Sequence, residues 1–148
     1  MPGIRFSPGL VAGHFLERLN RFAALVEVGG AVERVHVRNS GRLRELFRPG
    51  RPVLLAPAAG PGRATRFTLA LVRLPGGYVS ADAHLPNALV ANALAQDGVP
   101  GLEGYRVLRR EPVIGRNRAD FLLARGERWC LLEVKSVTLV EGGTALFP

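Results

Sequence analysis

Short runs of apolar or alternating residues, separated by turns rich in glycine and proline, most restrict the fold of the first half of this 148-residue chain. VEVGGAVERVHV, residues 26–37, predicts a β-hairpin, because Gly29 and Gly30 supply the positive φ angles of a tight two-residue turn. After this turn Val35 and Val37 share one face of the second strand, and the residues that alternate with them are basic. The pattern predicts a sheet with one buried and one polar face.

Four further segments extend this β-rich pattern. GHFLERL (13–19) and FAALVEV (22–28) alternate or run apolar over strand lengths, and PVLLA (52–56) and RFTLALVRL (66–74) do the same later. NSGRLRELF (39–47) predicts a loop with one helical turn. A helical turn between the third and fourth of five strands is typical of an OB-like β-barrel, which binds nucleic acid through aromatic and basic groups.

The pattern changes near residue 80. PNALVANALAQDG, residues 86–98, predicts a helix whose apolar stripe contains Leu89, Ala93 and Leu94. Three strand-like runs follow: YRVLRREPVI, RADFLLA and RWCLLEVKSV. The second half therefore predicts an α/β arrangement, in contrast to the β-rich first half.

The net charge of +8 is unevenly distributed along the chain. Residues 1–80 contain 12 arginines and four acids, whereas residues 81–148 contain seven arginines, one lysine and eight acids. A field of one sign confined to one module favours a polyanionic partner, DNA or RNA, although a solvated basic surface is the alternative. We predict two domains, a nucleic-acid-binding domain over 1–80 and a second domain over 81–148.

Cysteine and histidine usage limits the other classes of function. The single cysteine cannot form an internal disulfide, which suits a reducing cytoplasm. The three histidines are scattered without cysteines at finger spacing, so we expect no structural zinc site. No basic-then-apolar leader opens the chain, so we expect a cytoplasmic protein with no membrane partner. We also expect no small-molecule cofactor, and the oligomeric state stays open.

The segment RADFLLARGERWCLLEVKSV, residues 118–137, contains the only lysine of a chain with 19 arginines. If its two strands turn at Gly126-Glu127, the hairpin register places Asp120 opposite Glu133. Directly opposed residues have Cβ atoms ~4.5–5.5 Å apart and share one face of the sheet. Two carboxylates placed there repel each other, and a divalent cation would offset that repulsion.

Lys135 lies on the same face as Glu133, because side chains alternate along a strand. Mg²⁺, or Mn²⁺ as the alternative, takes oxygen ligands, commonly one or two carboxylates with water and phosphate. A compact ammonium group can approach the attacking water or a phosphate oxygen in a way that the planar arginine fork cannot. The alternative is a solvated Glu–Lys pair. The other face is apolar, so we expect Cys130 to be buried rather than nucleophilic.

RADFLL…CLLEVKSVTL resembles the PD-(D/E)XK metal-dependent nuclease core, with Ala119 at the position of the motif's proline. The motifs RLNRF, VRNSGRL, RPG, PNALVANAL, GY and EVKSVTL…FP, in this order, are similar to the sugar fermentation stimulation protein (SfsA) family over essentially the whole chain. This resemblance implies an OB-like domain, a restriction-endonuclease-like domain, DNA binding and a role in regulating sugar-utilisation genes. It implies that Asp120 and Glu133 are metal ligands and that Lys135 is the catalytic lysine.

The candidate nucleic-acid-binding residues come from two sources. The resemblance assigns Arg21, Phe22, Asn39 and Arg42 to the family's N-terminal motifs. The basic residues that we expect to contact phosphate are Arg18, Arg21, Arg38, Arg42 and Arg44.

Two departures from the family pattern affect the expected site. Many nuclease cores of this type carry a glutamate on the first helix, where this chain has Asn92, and Asp97 or Glu111 could complete the site instead. Family members also continue past the FP motif, so we expect a C-terminally truncated nuclease-like domain.

We predict a nucleic-acid-binding protein with a Mg²⁺-dependent nuclease-type site that hydrolyses phosphodiester bonds. The alternatives are a non-catalytic DNA-binding regulator of sugar-utilisation genes and an inactive remnant.

Overall fold

The structure, a computed structural model, describes residues 3–6, 9–58, 60 and 62–147. Its contacts divide the chain into two compact units. We call Phe6–Ala83 together with Val137–Pro148 the barrel unit, and Met1–Arg5 together with His84–Ser136 the helix–sheet unit. The chain thus leaves the barrel unit close to the predicted boundary at residue 80 and returns to it after residue 136.

Six strands form the sheet of the barrel unit. They are β1 Val11–Asn20, β2 Ala23–Val28, β3 Ala31–His36, β4 Pro52–Pro57, β5 Phe67–Leu74 and β6 Gly77–Ser80. The strand order is β3-β2-β1-β4-β5-β6, with antiparallel neighbours. A parallel pairing of β3 with β5, through His36 and Thr68, closes the first five strands into a barrel. This closure confirms the predicted OB-like barrel.

The predicted turn chemistry is present where the barrel needs it. Gly29 and Gly30 have φ angles of 58° and 86° in the turn that joins β2 to β3, as a primed two-residue turn requires. Between β3 and β4 the Phe47 amide donates to the Leu43 carbonyl at 2.9 Å, which forms the single helical turn expected there.

Inward-facing apolar side chains fill the barrel. Val35 is fully buried, and Phe15 is 2% exposed and stacks on Phe47 with ring centroids 5.1 Å apart. Burying an aromatic side chain of this size contributes about 1.5–3 kcal/mol. The other buried members of this core are Ala24, Val26, Val37, Leu46, Val53, Leu55, Phe67, Leu69, Val72 and Ala81.

In its described residues the helix–sheet unit contains one helix, α1, over Leu85–Ala95, with proline in its first turn. Its buried residues are Ala91, Ala93 and Leu94. Leu89 is 43% exposed, so its predicted place in the apolar stripe is wrong. It stands five positions before Leu94, which places it about 140° away around the helix axis.

Strands β7 Arg106–Arg110, β10 Phe121–Arg125 and β11 Arg128–Leu132 form the sheet of this unit, in the order β11-β10-β7. The register from the Arg125–Arg128 pair to the Phe121–Leu132 pair confirms the predicted hairpin over these residues. The strand pairing ends there, one position before the predicted Asp120–Glu133 pair. Phe121 and Leu123 are buried against α1 residues. Cys130, which we expected to be buried, packs against the same cluster but is only partly buried. A short pair of strands, β8 Val113–Ile114 and β9 Asn117–Arg118, precedes the hairpin.

The segment that returns to the barrel unit contains the hairpin of β12 Val140–Glu141 and β13 Thr144–Ala145. Thr138 Oγ1 donates to Glu45 Oε1 at 2.6 Å, which ties this segment to the loop before β4. In the part of the chain that the structure describes, no helix is long and apolar enough to cross a membrane.

Candidate nucleic-acid interface and carboxylate–lysine cluster

A groove of about 940 Å³ lies on the barrel unit, lined by the second half of β1 and by the loop after β3. Four arginines and a single glutamate are its charged lining residues, so its surface carries an excess of positive charge. These arginines are Arg18, Arg21, Arg42 and Arg44, four of the residues that we expected to contact nucleic acid.

Arg18 is not a free cation, because its guanidinium group holds the backbone around the groove in place. We call this arrangement the brace. Its Nε atom donates one hydrogen bond, and Nη1 and Nη2 donate two each, at 2.6–3.1 Å. An arginine has five N–H donors, so all of them are used. The acceptors are the backbone carbonyls of Asn20, Arg21, Asn39, Gly41 and Arg42. We therefore assign Arg18 a positioning role in place of the expected phosphate contact.

The Arg18 guanidinium also stacks on an aromatic pair. Its central carbon lies 5.0 Å from the centroid of the Phe47 ring, which in turn stacks on Phe15. A cation over an aromatic face contributes about 0.5–1 kcal/mol at a partly exposed site. The brace thus connects the floor of the groove to the barrel core.

The three remaining groove arginines are exposed. Among the described residues, the side chains of Arg21, Arg42 and Arg44 take no part in the hydrogen bonds, ion pairs or ring contacts found. Arg18 fixes the backbone of two of them, Arg21 and Arg42, through their carbonyls. All three have their donors available to a ligand, and those of Arg21 and Arg42 extend from a held backbone.

The other predicted residues of this interface lie around the groove. Arg38 forms an ion pair with Asp82 at 3.1 Å, so its positive charge is already balanced by a carboxylate of the protein. Asn39 accepts a hydrogen bond from the Gly41 amide through Oδ1, which shapes the loop. Phe22 does not line the groove; it lines a second cavity of about 250 Å³ beside it.

Sequence reasoning missed the residues that surround Phe22. Arg34, His36 and Arg63 line the same small cavity. The first two alternate with buried Val35 along β3, so the polar face of the predicted hairpin was the signal that could have identified them.

Asp120 lies at the start of the β10–β11 hairpin and has a partner on each carboxylate oxygen. Asn87 Nδ2 donates to Oδ1 at 2.7 Å, and the Val134 amide donates to Oδ2 at 2.7 Å. The carboxylate thereby links α1, β10 and the segment after β11. Asn87 stands 33 positions before Asp120 and was not predicted to contact it.

Lys135 and Glu133 form a close ion pair, with Nζ 2.5 Å from Oε1. Glu133 accepts a hydrogen bond from Lys135, and this bond, together with the charges of Glu133 and Asp120, raises the pKa of Lys135 above its ordinary value. The ammonium therefore lies within electrostatic reach of both carboxylates. We call Asp120, Glu133 and Lys135 the carboxylate–lysine cluster.

None of the three candidates for an additional ligand adds to this cluster. Asn92 donates to the Gly3 carbonyl and accepts from Gln96. Asp97 forms an ion pair with Arg106 at 2.7 Å, and Glu111 with Arg118 at 3.4 Å. Across residues 3–6, 9–58, 60 and 62–147, no group of three or more His, Cys, Asp or Glu side chains could hold a metal ion.

Comparison with known families also divides the chain between residues 81 and 84, and the second match includes residues 137–148, which belong to the barrel unit by their contacts. Residues 16–81 match the SfsA N-terminal OB domain, and residues 84–148 match the sugar fermentation stimulation protein RE domain. The chain belongs to the sugar fermentation stimulation protein family. The resemblance seen in the sequence motifs is thereby confirmed.

Individual family members match nearly the whole of this chain. A sugar fermentation stimulation protein homolog of Natranaerobius thermophilus is 45% identical over 97% of this chain and 61% of its own length. A homolog of Chloroflexus aggregans is 42% identical over 98% of this chain and 56% of its own. The chain therefore spans roughly three fifths of the length of these relatives.

A solved structure of the family has the same fold. The structure of Pyrococcus furiosus SfsA in complex with Ca²⁺ is 34% identical, with a TM-score of 0.88, over 97% of this chain and 62% of that chain.

Proposed function

We propose that the barrel unit binds nucleic acid along its arginine-lined groove. The observation that carries this proposal is the exposure of Arg21, Arg42 and Arg44 on one groove, where Arg18 holds the backbone of the first two. Guanidinium forks match the geometry of phosphate oxygens, and OB barrels bind oligonucleotides on such surfaces. The ligand class is therefore a phosphodiester chain.

The salt dependence of binding tests this proposal. We expect the Arg21→Ala/Arg42→Ala double variant to weaken binding of a labelled oligonucleotide. The log–log salt slope should become shallower by roughly 1.8 on duplex or roughly 1.4 on single strands, because two phosphate contacts are lost. The matched control is Arg109→Ala/Arg116→Ala, which removes two exposed arginines of the helix–sheet unit. An unchanged affinity and slope in the first variant would mean that the groove is only a solvated basic surface.

A second candidate function, metal-dependent hydrolysis of phosphodiester bonds, is favoured by the carboxylate–lysine cluster. Its donors are carboxylate oxygens, the hard ligands that Mg²⁺ and Mn²⁺ take, commonly one or two per ion with water and phosphate. The relative from Pyrococcus furiosus was solved in complex with Ca²⁺, another cation that takes oxygen ligands. Two carboxylates are within the number that Mg²⁺ commonly takes, and phosphate and water would complete its shell.

Each residue of the carboxylate–lysine cluster would have its own role in hydrolysis. Asp120 and Glu133 would hold the ion, which when bound supplies an activated water and neutralises charge on the phosphate. Asn87 and the Val134 amide keep Asp120 oriented, one donor on each oxygen. Lys135 is an ammonium paired with Glu133, and it would stabilise developing negative charge.

Divalent-ion titration with labelled DNA and RNA separates this candidate from a non-catalytic DNA-binding regulator. The titration is run with this chain and with a chain of family length. Cleavage that needs the ion and is lost in Glu133→Gln would support the nuclease-type site. The control is Glu111→Gln, which removes a carboxylate paired with an arginine elsewhere in the unit. Binding without cleavage in both chains would favour the regulator.

A further inference from the structure

The Phe22 side chain is an exposed aromatic ring on a fixed backbone. It is 53% exposed, in the tight turn between β1 and β2. Its backbone amide is held in place, because it donates a hydrogen bond to Asn20 Oδ1 at 2.9 Å. Its carbonyl accepts from the Val37 amide at 2.9 Å and lies 3.1 Å from His36 Nδ1. The ring is thus presented to solvent by a turn that is tied at both of its backbone polar groups.

The cavity beside this ring is small and bordered by cationic or protonatable side chains. Its volume is about 250 Å³, below the ~300–1,000 Å³ of pockets that enclose drug-sized ligands. Arg34 and His36 line it from β3, and residues 63–65 line it from the loop before β5. An aromatic face with guanidinium groups beside it matches a single flat, polar ring such as a nucleobase.

This cavity continues the arginine groove. Asn20 lines both, and the neighbouring residues Arg21 and Phe22 line the groove and the cavity respectively. A phosphodiester chain that follows the groove therefore reaches the ring within one residue of a phosphate contact. A phosphate contact at Arg21 and a base contact at Phe22 would therefore come from adjacent residues.

We infer that Phe22 and its cavity form a base-stacking subsite, which makes the barrel unit a binder of single-stranded nucleic acid. In a duplex each base is already paired and stacked, so its face is not available to a protein ring, whereas an unpaired base can turn out and stack. Every base has such a face, so the subsite tolerates any sequence. This inference rests on the proposed binding of nucleic acid in the groove.

The test compares a labelled single strand with its duplex in fluorescence anisotropy. Phe22→Ala is expected to weaken single-strand binding about 5- to 150-fold, equivalent to ~1–3 kcal/mol per stacked base. Duplex binding and the salt slope should stay unchanged, because no phosphate contact is removed. Phe22→Trp should retain single-strand affinity. The matched control is Tyr78→Ala, which removes another aromatic ring of the barrel unit with similar exposure, 48%.

A second variant guards against a folding defect. Phe22→Leu keeps apolar bulk at the turn but has no aromatic face, so it should lose single-strand affinity while it melts at the parental temperature. Equal losses on single strand and duplex, or no loss in either variant, would overturn the subsite. Failure of the groove itself is distinguishable, because it would appear as an unchanged salt slope in Arg21→Ala/Arg42→Ala.

Discussion

Replacing Arg18 with lysine keeps the positive charge and removes the planar fork, which makes it a sharp test of the brace. In the parent, five N–H donors hold five backbone carbonyls at 2.6–3.1 Å. A lysine ammonium has three donors on one nitrogen. At least two of the carbonyls therefore lose their partner in Arg18→Lys.

The expected cost follows from these contacts. A hydrogen bond contributes about 0.5–1.5 kcal/mol net, and the lower part of this range suits carbonyls that water can reach. Two or three lost bonds, together with ~0.5–1 kcal/mol for the stacking of Arg18 on Phe47, give a destabilisation of about 2–3 kcal/mol. For the barrel unit, this loss of stability corresponds to a fall in Tm on the order of 10–20 °C.

Thermal unfolding monitored by circular dichroism measures this loss, with Arg42→Lys as the control that changes an exposed groove arginine in the same way. A parental Tm in Arg18→Lys would refute the brace. Binding gives a second criterion through Arg18→Gln, which removes the charge. A salt slope that falls by roughly 0.9 on duplex in this variant would show that Arg18 contacts phosphate directly.

Three further changes test other parts of the molecule. Gly13→Ala should destabilise the barrel by about 1–3 kcal/mol, because a Cβ atom at Gly13 would lie 2.6 Å from the Glu27 carbonyl oxygen; an unchanged urea midpoint would contradict this close approach. The hydrogen bond from Arg106 holds the pKa of Asp97 at about 2, below its ordinary 3.8. The stabilisation is therefore present above pH ~4 and lost as the pH falls towards 2, and Asp97→Asn should flatten the acid unfolding curve in that window. In a chain of family length that cleaves, Lys135→Arg should reduce cleavage on the order of a hundredfold with little change in affinity. Cleavage at the parental rate would mean that the lysine is only a surface ion-pair partner.

The barrel and the second hairpin could be predicted because their information is local. Gly29 and Gly30 fix one turn, and the alternation of Val35 and Val37 with basic residues fixes which face is buried. Gly126 has a φ angle of 58° in the turn that sets the register of β10 and β11. Two-residue turns leave little choice of register, so the pairing followed from the sequence alone.

The roles of individual polar residues could not be predicted, because their partners are distant in the sequence. Arg18 has the composition of a phosphate ligand, and only the fold brings the Gly41 and Arg42 carbonyls, 23 and 24 positions away, to its donors. Asn87 belongs to the helix motif, and its contact with Asp120 depends on how that helix packs on the sheet. Sequence patterns fix faces and turns, whereas side-chain pairing over such separations is a product of tertiary packing.

The return of residues 137–147 to the barrel unit has a consequence for the order of events during synthesis. The five barrel strands are complete at Leu74, and N-terminal modules fold as they leave the ribosome. Thr138, however, emerges 93 positions after its partner Glu45. This hydrogen bond therefore cannot form until the entire helix–sheet unit has been translated. A ribosome that stalls near residue 136 would hold a barrel with its strands paired and its Glu45 carboxylate still hydrated.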